Sequence, residues 1–327
     1  MAQGSGTFYN VTAILYVTNQ YGAYARTTAK INVKPLSVSI ASLSSNITSL
    51  LSTALSSYST ETVFQIVGAT SSGLSTSSCT NATLCNNLRS TLLTYVSSAV
   101  SQQDASASTV LQQAQALESL TSEPSALTDA AQTTALTLIS TISSRGTSTG
   151  ISDSAFSSLG GSLSSILQTS AGTSTSNVDT VSDTLNSIIK ASWVNLKPGE
   201  SGQSLVKTSL NMTNSASYAS KLTNQSFSPP GTTQTLTMPS EGASSFYSSV
   251  SDTDEFTTSV SSMAQIHQDR GGSNATSNLV RFGLTQSTSS TSDRRRRLEA
   301  GKKGLMSVKL RNKQSQSYQV TEVKQQL

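Results

Sequence analysis

The chain predicts an α+β fold: an N-terminal β-hairpin, a helical middle region and a C-terminal antiparallel β-sandwich. Three observations carry this. Apolar residues recur at every second position over residues 7–35, at helical spacing over 36–196, and at every second position again after Pro198. A period of two marks a half-buried strand, and a period near 3.6 marks an amphipathic helix. The expected segments are therefore a hairpin over 1–35, helices over 36–198 and a β-rich region over 199–327.

In the first segment Tyr9, Val11, Ala13, Leu15 and Val17 alternate with mostly polar residues. A turn at Asn19-Gln20-Tyr21-Gly22 leads to a second alternating run, Ala25, Thr27, Ala29, Ile31 and Val33, before Pro35. β-rich runs around a Gly-containing turn signal a hairpin. An aromatic opening the first strand and a turn into a last strand suit the closing hairpin of an immunoglobulin-like sandwich. Two strands alone are marginally stable in water, so this hairpin needs partners.

The helical stripes are Leu88, Leu92, Tyr95/Val96 and Ala99; Ala107, Val110/Leu111, Ala114 and Leu117; and Leu127, Ala131, Ala135, Leu138 and Ile142. Two more are Phe156, Leu159, Leu163 and Ile166/Leu167, and Val178, Val181, Leu185 and Ile188/Ile189. Weaker stripes lie around Leu43–Leu55 and Val63–Leu74. Gly146 is expected to close one helix, and Ser152-Asp153 to open the next with a cap and a first-turn acid. After Lys197-Pro198-Gly199-Glu200, alternation returns at Val206, Thr208, Leu210 and Met212; at Val280, Phe282 and Leu284; and at Met306, Val308 and Leu310. Leu236 and Met238 lead into Pro239, and Phe256–Ile266 is a less regular strand candidate. Strands separated by Ser/Gly/Asn loops suggest an antiparallel sandwich.

Composition narrows the setting. Of 327 residues, 35% are hydrophobic and 12% charged, while Ser and Thr supply about a third. Disorder and mucin-like stalks are Pro-rich or strongly charged and lack apolar periodicity. Here there are 6 Pro and a net charge of +4, and the periodicity is clear. Cytoplasmic proteins generally stay soluble through Lys and Glu. A hydroxyl-rich, weakly charged surface suits a cell exterior, where glycans can cover it.

The two cysteines, Cys79 and Cys85, stand close together in a loop-like stretch and read as a small-loop disulfide from an oxidising compartment. No second pair or histidine cluster completes a metal site, and none is expected. Six sequons occur, at Asn10, Asn46, Asn81, Asn211, Asn224 and Asn274. Composition alone yields about five or six, so the count is uninformative. Asn81, inside the cysteine loop, is the best single glycosylation candidate. No apolar run approaches the ~18 residues that span a bilayer. The start, Met-Ala-Gln-Gly-Ser-Gly, lacks a basic region followed by an apolar one. The exterior reading thus takes the chain as part of something longer.

Chemistry is scarce. The single histidine, His267, stands beside Gln268-Asp269 and reads as solvated polarity at a strand end. No serine occupies a nucleophile-elbow or Ser-x-x-Lys context. No phosphate loop, metal spacing or clustered carboxylate pair is present. No enzyme and no cofactor is expected. Arg294, Arg295, Arg296 and Arg297, with Lys302-Lys303 and only Glu299 opposing, supply about +5, which leaves the remainder near neutral. A convertase site, a nucleic-acid patch and a contact with acidic glycans each fit this tract, and a solvated basic loop fits it more plainly. No aromatic platform or broad basic face accompanies it, so nucleic acid is not an expected partner.

The order of segments and several short motifs resemble the receptor-for-egg-jelly region of the polycystin family. Tyr9–Val33 resembles the closing hairpin of a family (PKD-like) repeat. Leu117-Glu118-Ser119-Leu120, Pro124, Leu127 and Ala131-Gln132-Thr133-Thr134-Ala135-Leu136 resemble its helical pattern. Trp193 and Pro198-Gly199-Glu200 resemble its helix-to-strand junction, and Leu236-Thr237-Met238-Pro239-Ser240 with Leu279–Leu284 resemble strands of a GAIN-like domain. The resemblance implies a cell-surface ectodomain. Self-cleaving GAIN domains carry a paired-Cys, Trp-containing stretch ending in a His-Leu-Ser/Thr-type site, which is absent here, so autoproteolysis is not implied. The expected function is a non-catalytic extracellular or cell-surface scaffold or adhesion module with protein or glycan partners. A secreted Ser/Thr-rich coat or fibre protein is the alternative. The hairpin either completes a sandwich begun upstream in a longer chain, docks on a neighbouring molecule by strand addition and so links copies head to tail, or folds back on its own helical segment.

Overall fold

Helices this rich in Ser and Thr have modest intrinsic propensity, so they depend on caps and on burying their apolar stripes. The computed structural model describes residues 10–18, 24–32, 40–74, 79, 81–169, 175–247, 250–263, 279–287, 306–310 and 324–325. Seven α-helices lie among them: α1 (Ile40–Ser56), α2 (Thr60–Ser71), α3 (Ala82–Gln102), α4 (Ala107–Thr121), α5 (Asp129–Thr149), α6 (Asp153–Leu167) and α7 (Thr175–Trp193). Side-chain oxygens of Asn81, Ser106, Thr128 and Ser152 accept from the third amide of α3, α4, α5 and α6 respectively. Each such cap is worth about 1 kcal/mol. Gly146 does not close α5. It lies buried within the helix, where a Cβ would collide with Ile151, and α5 continues to Thr149 before Gly150 turns out at φ 74°.

The stripes meet in one core. Leu88, Leu92, Val96, Ala114, Leu117, Ala135, Ile142, Phe156, Leu163, Leu185 and Ile188 are all buried in a single cluster. Ala107 departs from its stripe and is exposed in the first turn of α4. Burying a Leu or Phe contributes roughly 1.5–3 kcal/mol, so the stripes outweigh the weak local propensity. Inside this apolar cluster sits one charge. Arg89 of α3 is 1% exposed, and its guanidinium donates at 2.8 Å to the carbonyl of Leu120, in the last turn of α4, and at 2.8 Å to that of Leu74, just past α2. Helix ends leave carbonyls unpaired, and a cation there satisfies them and complements the dipole. Burial lowers the Arg89 pKa, with the Glu123 carboxylate opposing the shift.

Ten strands lie among the described residues, each with its backbone paired to a neighbour. β1 (Asn10–Thr18) and β2 (Tyr24–Asn32) form the expected hairpin, in register from Asn10↔Asn32 to Thr18↔Tyr24. They pair with no other described strand, and Thr27, Thr28, Ala29 and Lys30 are exposed. Six strands, β3 (Gln203–Val206), β4 (Leu210–Tyr218), β7 (Glu255–Met263), β8 (Leu279–Ser287), β9 (Met306–Leu310) and β10 (Lys324–Gln325), form one antiparallel sheet in the order β10-β9-β8-β7-β4-β3. The remaining two, β5 (Ser226–Phe227) and β6 (Leu236–Thr237), make a short ladder. Among the described residues the β region is thus a single sheet backed by this ladder, not two full sheets.

The sheet has two unlike faces. Phe256, Val260, Val280, Phe282 and Leu284 join Phe227 and Leu236 of the ladder in a second core. The opposite face puts Met212 and Met263 into the helical core. That face approaches closely because α6 carries Gly160-Gly161. A Cβ on Gly160 would overlap Leu205 of β3, and one on Gly161 would overlap the Glu118 carboxylate. The alternation from Val206 to Met212 is not one strand. The chain turns between β3 and β4, where the Lys207 amide donates to the Leu210 carbonyl and to Asn211 Oδ1. The turn swaps parity: Leu205, which pairs with Met212, is buried, while Val206, which continues the alternation in sequence, pairs with Asn211 and is exposed.

Replacing Arg89 tests its role as a clamp. Arg89→Met removes the charge and orphans two buried carbonyls, so we expect a loss of about 3 kcal/mol or more. Urea denaturation followed at 222 nm measures it. A loss below about 1 kcal/mol would show that the two helix ends do not depend on the guanidinium.

Candidate functional site

The feature singled out by the sequence is the cysteine loop. Cys79 and Cys85 form a disulfide with a Cα–Cα separation of 6.5 Å, and Cys85 is buried against the helical core. The loop between them ends at the start of α3. Asn81 caps that helix through Oδ1, which accepts from the Leu84 amide at 3.1 Å. A glycan attaches to the amide nitrogen, so the cap and the modification use different atoms of one side chain. Asn81 and Thr83 are both exposed.

The other sequons fare unequally. Asn46 is exposed on α1, and Asn224 is exposed in a turn at φ 54°, a conformation that Asn tolerates. Asn211 is half-buried within β4, which makes it a poorer glycan acceptor than the exposed Asn81. Asn10 is the first residue of β1. Asn274, His267 and Arg294–Arg297 lie outside the described residues. Among the described residues no group of three His, Cys, Asp or Glu could hold a metal ion, and no helix is long and apolar enough to cross a membrane.

The polar groups brought together by the fold are mostly structural. Asn214 of β4 donates to Ser192 Oγ of α7 at 2.7 Å, and the Ser209 amide donates to Ser164 Oγ of α6 at 3.0 Å. Lys207 pairs with Glu118 at 3.0 Å, and Gln203 donates to Asp153 at 2.7 Å. Arg281 of β8 reaches the backbone and hydroxyl oxygens of Ser182, each at 3.2 Å. Burial lowers its pKa to about 10 against the pull of Asp183, so it stays charged at neutral pH. These contacts sew the sheet onto α4, α6 and α7.

Two grooves remain. One, of about 600 Å³, runs between α5 and α7. Its Thr137, Thr141 and Thr184 hydroxyls donate to carbonyls one turn back, and its Arg145 is engaged by the Gln103 carbonyl. The other, of about 730 Å³, lies between the α1–α2 turn and α4 and is lined by Tyr58, Glu61, Gln103, Leu111, Gln112 and Gln115 among others. Tyr58 heads it, 78% exposed and at φ 55°. It ends α1 in a Schellman arrangement: Ser59 N–H donates to the Ala54 carbonyl and Tyr58 N–H to that of Leu55. Gly normally occupies that left-handed position, and a side chain there costs about 1 kcal/mol or more. Neither Tyr58 nor the groove was marked by sequence reasoning, although Gln112, Gln113 and Gln115 fall within one helical turn.

The Asn81 geometry separates its two roles. Asn81→Asp keeps a capping oxygen, Asn81→Ala does not, and Thr83→Ala destroys only the sequon. We expect Asn81→Ala to lose about 1 kcal/mol in chemical denaturation and the other two to lose a few tenths at most. Intact mass after expression through a secretory pathway should show all three lacking the glycan at this site.

Comparison with protein-family models and with curated proteins finds no match to this chain.

Proposed function

We propose that the chain is a non-catalytic module of an extracellular or cell-surface scaffold or adhesion protein, built like the receptor-for-egg-jelly and GAIN-like part of a polycystin-type ectodomain. The observation that carries this reading is the Cys79–Cys85 loop, a disulfide closing over an exposed sequon. Disulfides persist in oxidising compartments, and N-glycans are added there. The order of hairpin, helices and antiparallel sheet supports the family resemblance. The weakly charged, hydroxyl-rich surface supports partners that are proteins or glycans at the cell exterior.

The hairpin is the linking element in this reading. Strands β1 and β2 leave both outer edges unpaired by any described strand. Open edges invite strand addition, and a head-to-tail contact that does not close propagates into a filament.

Two measurements test this. Peptide mapping of the protein from its source should find Cys79 and Cys85 oxidised and Asn81 glycosylated; reduced thiols and a bare asparagine would sink the exterior assignment. Sedimentation velocity should show concentration-dependent association of the full chain that is lost on deleting 1–35. Equal sedimentation of both would remove the hairpin from assembly.

A further inference from the structure

We infer that the groove headed by Tyr58 binds a neutral saccharide. The inference takes its setting, a surface that meets glycans, from the exterior-module reading above, and takes its site from geometry alone.

Tyr58 is the starting point, because folding does not account for it. The ring is 78% exposed, so it adds little buried area, and it occupies a left-handed helix-end position that favours glycine. An exposed aromatic held at a strained position points to use outside the fold. A flat ring with an apolar face and a polar rim suits the C–H face of a sugar.

The walls carry the matching polar groups. The side chains of Gln112 and Gln115 make no hydrogen bond to described residues, so their amides can both donate and accept. Gln103 is held from two directions: its backbone carbonyl accepts from Arg145 at 2.6 Å, and its side-chain oxygen accepts from the fully buried Gln113 at 2.8 Å. That leaves the Gln103 NH₂ as a fixed donor. Amides offering both donors and acceptors answer sugar hydroxyls, which do the same.

The charge pattern selects the class. Among the described lining residues Glu61 is the one charged group, and none is Lys or Arg. Sialylated, sulfated or uronic saccharides would meet a carboxylate with no cation to offset it. A peptide would want an apolar pocket for an anchoring side chain, and the half-buried Leu111 is the single large aliphatic residue among the described lining residues. The neutral saccharide fits on both counts.

The test uses the full chain against a panel of neutral hexose and N-acetylhexosamine oligosaccharides, with sialylated and sulfated counterparts as a second arm, read by saturation-transfer NMR and calorimetric titration. At least one neutral oligosaccharide should bind and the acidic arm should not. Tyr58→Gly should weaken binding about tenfold or more while the melting temperature holds or rises. Gln112→Ala should weaken it with the fold intact. Binding by none of the neutral saccharides at millimolar concentration, preference for the acidic arm, or full binding by Tyr58→Gly would each overturn the inference. Such a failure leaves the disulfide and Asn81 measurements unaffected, so the site and the exterior reading stand or fall separately.

Discussion

Everything in this structure depends on one constraint: helices so rich in Ser and Thr cannot hold themselves, so they must share a single core. The hydroxyls take part in the solution. Thr48, Thr70, Thr91, Thr133, Thr137 and Thr184 donate to carbonyls one turn earlier on their own helices. Such back-bonding satisfies the hydroxyl but slightly weakens the helix, so it raises the demand on packing. The demand is met by the Leu, Ile and Val stripes, and by the sheet, whose Met212 and Met263 complete the same core.

A shared core brings helix ends inside, where their carbonyls need donors. Arg89 supplies two of them at once. Its position explains why a lone cation is tolerated among Leu and Val: the desolvation cost is offset by charge-assisted bonds to carbonyls that would otherwise be orphaned. Arg281 does comparable work across the helix–sheet boundary by reaching Ser182 of α7. Both guanidiniums bind backbone oxygens of helices, which ties the orientation of α2, α4 and α7 to α3 and the sheet.

The segment order was legible because the apolar period survives even with Ala and Ser filling the intervening positions. The helices from Leu88 to Ile189 and the strand at Val280–Leu284 follow it directly. Strand β7 was harder to read, since every residue from Phe256 to Met263 is buried and Thr and Ser stand on the helix-facing side. Alternation vanishes when both faces are covered. The β3–β4 turn was hidden because the exposed Val206 alternates in sequence with the buried Leu210 and Met212, although Leu205 is the core residue of β3. Gly146 misled because its lack of a side chain serves packing against Ile151 and not a helix end. Tyr58 was invisible for a different reason. A Schellman end is recognised by its glycine, and here the glycine is missing.

The disposition of charge decides how this molecule can recognise anything. Arg89, Arg145, Arg281, Lys207 and Glu118 are all engaged in contacts within the chain. The described surface is rich in hydroxyls and amides, with scattered exposed charges of both signs such as Asp129, Asp183, Lys190 and Lys221. Many of those hydroxyls already donate to their own helices, so they repel little and attract little. A surface of this kind resists adventitious association without relying on net charge, which suits a crowded exterior. Specific contacts must then come from the few places where the pattern breaks. An aromatic stands at a glycine position beside amides with no hydrogen bond to described residues, and the outer edges of a hairpin are paired by no described strand. Recognition through such features is short-ranged and weakly sensitive to salt, since screening acts on separated charges and leaves hydrogen bonds and ring stacking largely untouched.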